Sequence, residues 1–260
     1  DHPMFSRFQT PAAFADQTTL FKIMYNKTLG TDNQIYTKIS LTMNTVFFDL
    51  DGTLLDSQNG ISESIQSALA GLGYPPATAE QLQSCFGPPI RDSFARLMDS
   101  KEVPLIEDAV TRFRQHYLQQ GIRNYVVYPG IREVLKQLAN AGLRLRVLTV
   151  KPQPQAEWLL QDARLANLFD GIHGSELSGG KSDKTEHLGE LIRHHPRPYS
   201  IHWMVGDRAS DIQAARAHGL NSVAVSWGYG ETDELNSANS DYLINEPAVL
   251  IDLLIKSLPA

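Results

Sequence analysis

Residues 45–53 read Thr45-Val46-Phe47-Phe48-Asp49-Leu50-Asp51-Gly52-Thr53. The first four are β-branched or aromatic, the pattern of a short strand buried on both faces and hence of a parallel sheet. Two carboxylates, Asp49 and Asp51, follow at its C-terminal end, where open α/β sheets bind ligands. The strand period aims both side chains to one side, although the Gly52 turn can redirect Asp51. Carboxylates this close resist joint ionisation unless a cation is bound.

Downstream, strands alternate with helices. Ile131, Val134, Leu135 and Leu138 share one helical face, which Gly142 closes. A strand over Leu143–Thr149 and a helix over Gln155–Leu165 follow. Leu188, Leu191 and Ile192 mark another helix, with Asp183 placed to cap it. Further strands are expected at Ile201–Val205, running into Gly206-Asp207, and at Ser222–Ser226. Helices are expected at Ile212–His218, ended by Gly219, and at Val249–Leu258. This alternation predicts an α/β, Rossmann-like parallel sheet core.

Residues 60–125 break the pattern. They read as helices at Ile61–Gly71, Ala79–Cys85, Ile90–Met98 and Ile106–Gln120, with Gly60 and Pro129-Gly130 as punctuation. The expected organisation is an α/β core over 43–59 and 126–260, with an all-helical domain inserted over 60–125. Residues 1–42 carry scattered Thr, Gln, Asn and Lys and one short apolar patch, Leu20–Tyr25. They read either as a leader, upstream extension or cloning remnant before Met43, or as a short helix packed on the domain; no secretory signal pattern stands out.

The 260 residues are 42% hydrophobic and carry a net charge of −6. That supports a sizeable core and argues against nucleic-acid or anionic-membrane partners, which need a Lys/Arg surplus. Cys85 has no second cysteine to pair with, in keeping with a reducing, cytoplasmic setting. No apolar run reaches the roughly 18 residues of a membrane span.

A second acidic pair, Asp207 and Asp211, follows another apolar strand. Singly, each aspartate reads as a cap or turn residue. Two pairs at two strand ends point instead to a site carrying four carboxylates, which a hard cation with oxygen ligands, Mg²⁺ most simply, would offset. Such a centre suits phosphates. One carboxylate could attack phosphorus, and another protonate the leaving oxygen and later deprotonate water. Cations and hydroxyls must then hold the phosphoryl oxygens. Thr149 could donate there, although it also reads as an ordinary strand residue. Lys181 and Lys184 read as loop lysines unless context recruits them.

Asp49-Leu50-Asp51-Gly52-Thr53-Leu54 with Asp56-Ser57 resembles the first motif of the haloacid dehalogenase-like phosphohydrolases. Leu148-Thr149-Val150-Lys151-Pro152 is similar to the second, Ser182-Asp183-Lys184 to the third, and Gly206-Asp207-Arg208-Ala209-Ser210-Asp211 to the fourth. Across Met43–Ala260 the resemblance implies Asp49 as nucleophile and Asp51 as general acid/base. It implies Mg²⁺ held by Asp49, the Asp51 carbonyl and Asp207, with Thr149 and Lys184 on the phosphoryl group. Asp211 would support the metal or Lys184. Asp at position 51 favours phosphoryl transfer over dehalogenation, because an acid must protonate an alkoxide. The helical insertion resembles the mobile cap of phosphoglycolate phosphatase-like members, as do Gly87-Pro88-Pro89-Ile90-Arg91, Tyr128-Pro129-Gly130 and Trp227-Gly228-Tyr229-Gly230. Arg91 could meet a substrate anion. Val150 departs from the small polar residue common after the motif threonine.

The expected activity is Mg²⁺-dependent hydrolysis of a small phosphorylated metabolite, phosphoglycolate-like, through an aspartyl-phosphate, by a monomer or homodimer. Alternatives are a 5′-nucleotidase, a phosphosugar mutase, or a non-catalytic nucleotide- or partner-binding module. His187, His194 and His195 read as solvated helix-end residues and Cys85 as buried packing. Lys151 could face substrate or solvent equally well.

Overall fold

The computed structural model describes residues 44–177, 180–193 and 202–256. Residues 1–42, Met43, His194, His195 and the expected element ends at Ile201 and Leu258 lie outside them.

Thr45–Phe48 forms β1, fully buried as its composition requires. After the Asp49–Leu54 turn, a two-residue strand β2 (Leu55–Asp56) leads into helices α1 (Gln58–Gly71), α2 (Ala79–Gln83), α3 (Ile90–Leu97) and α4 (Val103–Gln119). The chain returns through β3 (Val126–Val127), which pairs antiparallel with β2. The exit and return of the helical segment are thus tied together beside β1. Helix α4 buries Ile106, Ala109, Val110, Phe113 and Tyr117, one face at helical spacing. Helix α1 buries Gly60, Ser64, Ile65, Ala68 and Leu69.

Gly60, read from the sequence as punctuation, instead lies inside α1. A side chain there would meet the Gly121 carbonyl oxygen at 2.0 Å, so close backbone approach rather than a turn demands glycine.

The rest of the chain follows the expected alternation. Helix α5 (Ile131–Asn140) buries Ile131, Val134, Leu135 and Leu138. Then come β4 (Arg144–Pro152), α6 (Gln153–Asp162), β5 (Gly171–Ser175), α7 (Lys184–Arg193), β6 (His202–Gly206), α8 (Ala209–Ala217), β7 (Asn221–Val225), α9 (Thr232–Ala238), β8 (Tyr242–Ile244) and α10 (Val249–Lys256). Asp183 caps α7 by accepting from the Thr185 and Glu186 amides at 2.8 and 3.1 Å. Helix α9 and strands β5 and β8 were not expected. The two strands are sheet edges, where backbone pairing rather than an apolar run secures them; β5 carries Gly171, His173 and Gly174, and two of three β8 residues are exposed.

Among the described residues the main sheet has six parallel strands in the order β5-β4-β1-β6-β7-β8. The chain leaves β1 for β4 and β5 on one side, then crosses to β6, β7 and β8 on the other. The reversal opens a crevice at the carboxyl ends of β4, β1 and β6, the ligand position expected of such sheets.

Candidate active site

Three neighbouring strands deliver the acidic and hydroxyl groups. Asp49 follows β1, Thr149 lies near the end of β4, and Asp207 follows β6. The register pairs Phe48 with both Val147 and Val205, so the three strand ends come level. Helix α8 carries Asp211 and the start of α7 carries Lys184.

Asp49, Asp207 and Asp211 are buried, and one carboxylate oxygen from each lies within 4.8 Å of the others. Asp207 is held on both oxygens: Oδ1 accepts from the Thr53 hydroxyl at 3.0 Å, and Oδ2 from the Tyr229 amide at 2.8 Å. Gly52 has φ of +85°, and a Cβ there would stand 2.2 Å from Asp207 Oδ2, so glycine both makes the turn and admits the carboxylate. Burial pushes the Asp207 carboxyl up to about 8, with Asp49 and Asp211 adding repulsion. Burial also pushes Asp49 up to about 6, against the opposing pull of Lys184.

Lys184 Nζ bridges Asp49 Oδ2 at 3.0 Å and Asp211 Oδ1 at 2.5 Å. It is buried at the start of α7 rather than solvated in a loop. Burial disfavours its charge, but Asp211 and Asp49 outweigh that and hold it protonated. Asp211 Oδ2 also accepts from the Arg208 amide at 3.0 Å.

Asp51 faces a second lysine. Its Oδ2 pairs with Lys151 Nζ at 2.8 Å, and its Oδ1 accepts from the Ser57 hydroxyl at 2.5 Å. The sequence left Lys151 undecided between substrate and solvent; the structure buries it in the crevice. Burial opposes its charge, and Asp51 more than compensates. Thr149 is buried beside it and accepts from the Lys151 amide at 3.2 Å. The Lys151 ammonium also lies over the Tyr117 ring of α4, 4.9 Å from its centroid.

Two lysines therefore offset two of the four aspartate charges. The two that remain, carried by buried oxygen donors, match a hard divalent cation such as Mg²⁺. The raised Asp207 carboxyl is what uncompensated charge in a dry site produces. Asp49, Asp207 and Asp211 are the carboxylates whose oxygens converge closely enough to hold one ion.

Other sequence candidates fall elsewhere. Arg91 is exposed on the helical segment and pairs with Glu107 at 2.8 Å, outside the crevice. An exposed carboxylate one helix away satisfies it, which its motif position did not reveal. Lys181 is half exposed and lies 3.7 Å from Glu190. His187, expected to be solvated, is buried in α7. Cys85 is buried, as expected. Thr53, Ser57 and Tyr229 were missed as site residues. Thr53 and Ser57 lie within the first motif, and Gly228-Tyr229-Gly230 is a recognisable signal to which the sequence alone assigns no role. Gly228 is tight against Asp207: a Cβ there would lie 2.3 Å from the aspartate Cβ. The Tyr229 hydroxyl further accepts from the Ser57 amide at 2.7 Å.

A family model described as haloacid dehalogenase-like hydrolase matches residues 46–225. The chain is 34% identical over 214 residues to a tyrosine-protein kinase PtkA of Mycobacterium tuberculosis, covering 82% of this chain and 72% of that protein. It is 32% identical over 209 residues to a 5′-nucleotidase of Pseudomonas aeruginosa, covering 80% and 94%. A phosphoglycolate phosphatase of Aliivibrio fischeri is 31% identical over 216 residues, covering 80% and 95%. Among solved structures, a predicted phosphatase from Clostridium acetobutylicum superposes with a TM-score of 0.75 at 30% identity, covering 82% and 99%.

Proposed function

This chain belongs to the haloacid dehalogenase-like hydrolases, a phosphoric monoester hydrolase by its phosphatase relatives, and from that premise we propose that it cleaves a small phosphomonoester through an aspartyl-phosphate on Asp49. The observation that carries the reading is the convergence of Asp49, Asp207 and Asp211, with Lys184 bridging Asp49 and Asp211.

Asp49 is the nucleophile. Its Oδ1 accepts from the Leu50 amide at 2.7 Å and its Oδ2 from Lys184, which fixes the carboxylate at the strand end. Mg²⁺, held by Asp49, Asp207 and the Asp51 carbonyl, would neutralise charge between the nucleophile and the phosphoryl oxygens. Lys184 and the Thr149 hydroxyl bind those oxygens as charge shifts onto them. Asp51 gives a proton to the leaving oxygen, then takes one from the water that attacks the phosphoenzyme. The helical segment acts as a cap that excludes water from the first half-reaction.

The substrate is a phosphoglycolate-like metabolite. The direct test is phosphate release from phosphoglycolate, sugar phosphates and nucleoside monophosphates with Mg²⁺ and after chelation. Turnover that survives chelation, or none with any substrate, rejects the reading. A phosphosugar mutase would return isomerised sugar phosphate in place of free phosphate.

A further inference from the structure

We propose that Tyr117 is a specificity-determining residue whose hydroxyl donates a hydrogen bond to a carboxylate on the leaving alcohol; this rests on the phosphatase reading above.

Tyr117 is 1% exposed, and the proton of its hydroxyl meets no acceptor among the described residues. A buried hydroxyl whose proton is unplaced calls for an explanation, and a ligand is one. The ring is fixed, stacked on Phe113 at 5.5 Å between centroids and 10° between planes. It lines a cavity of about 100 Å³ that reaches Asp49, Asp51 and Thr149. Apart from Tyr117, Cys85, Gln155 and the groups of the acidic site, the lining is apolar, Ile61, Ile90 and Phe113 included. Cys85 is already satisfied, its thiol donating to the Gln81 carbonyl.

Lys151 sets the position and the charge. Its ammonium touches Asp51, the acid that serves the leaving oxygen, and lies over the Tyr117 ring. Tyr117 therefore stands next to the atoms that leave with that oxygen. Lys151 can only donate hydrogen bonds, so even a bond from it leaves the tyrosine proton unplaced. The group that takes that proton is an acceptor, and the adjacent ammonium favours an anionic one.

The test compares phosphoglycolate with ethyl phosphate, which matches it in size and lacks the carboxylate. Wild-type protein is expected to prefer phosphoglycolate in kcat/KM, and Tyr117→Phe to lower that preference about tenfold, as expected for one charge-assisted hydrogen bond. Phenylalanine keeps the stack on Phe113, and thermal melting checks that the variant folds. An unchanged preference overturns the proposal. Calorimetry with phosphoglycolate on Asp49→Asn and on Asp49→Asn/Tyr117→Phe separates the two readings. If wild-type protein hydrolyses nothing yet the tyrosine strengthens binding, the phosphatase reading fails alone. If hydrolysis proceeds and Tyr117 changes neither preference nor binding, this inference fails alone.

Discussion

Lys184 Nζ stands 3.0 Å from Asp49 Oδ2, one cation set against the nucleophile and, through its second contact at 2.5 Å, against Asp211 as well. Both carboxylates are buried and share this ammonium. Lys184→Met keeps much of the side-chain volume but leaves the two charges facing each other. Loss of one partner from a buried ion pair costs about 3–5 kcal/mol. Urea denaturation should show a loss of that size along with lost turnover; unchanged stability would mean that the pair is not formed in solution.

Asp49→Asn removes the nucleophile and preserves shape. Phosphate release should fall by at least about three orders of magnitude, the scale seen when a reacting group is deleted. The thermal melt should stay near that of the wild type. Robust turnover by this variant rejects an aspartyl-phosphate on Asp49.

Mg²⁺ should raise the melting temperature of the wild-type protein, because an ion that binds only the native state adds about 2.7 kcal/mol at a hundredfold excess over Kd. Asp207→Asn removes a carboxylate from the cluster and should abolish most of that increment. An equal shift in both proteins would place the ion elsewhere.

His187 gives a pH prediction away from the acidic centre. Burial, with a smaller effect of Lys181, lowers its proton affinity in the native state. The unfolded chain takes up a proton near pH 6.5, whereas the native imidazole resists until lower pH. The contribution to stability is therefore complete above pH 6.5 and is lost as the pH falls below it. His187→Gln should flatten this part of the profile in urea titrations. If the slope between pH 6.5 and 5 is the same in both proteins, the imidazole is not the group responsible.

Gly60→Ala tests the close approach in α1. In an exposed helix this change gains roughly 0.5–1 kcal/mol. Here the added carbon meets the Gly121 carbonyl, and overpacking should cost about 1–3 kcal/mol. A stabilised variant would show that the two segments separate readily.

The buried run Thr45–Phe48, the spacing of Ile131, Val134, Leu135 and Leu138, and the two acidic pairs made the α/β core and its acidic centre readable from the sequence. Each is a local pattern, a period or a short motif, and such patterns persist in one dimension. The edge strands β5 and β8 were invisible, because backbone pairing to a neighbour holds them rather than any run of their own side chains. Tertiary structure alone decided the partners of each charge. It brought Lys151 to Asp51, sent Arg91 to Glu107, buried His187 and set Tyr117 over the crevice. Those outcomes depend on which distant surfaces meet and exclude water, and a cation's worth to a carboxylate is fixed by that distance and burial, neither of which residue order encodes locally.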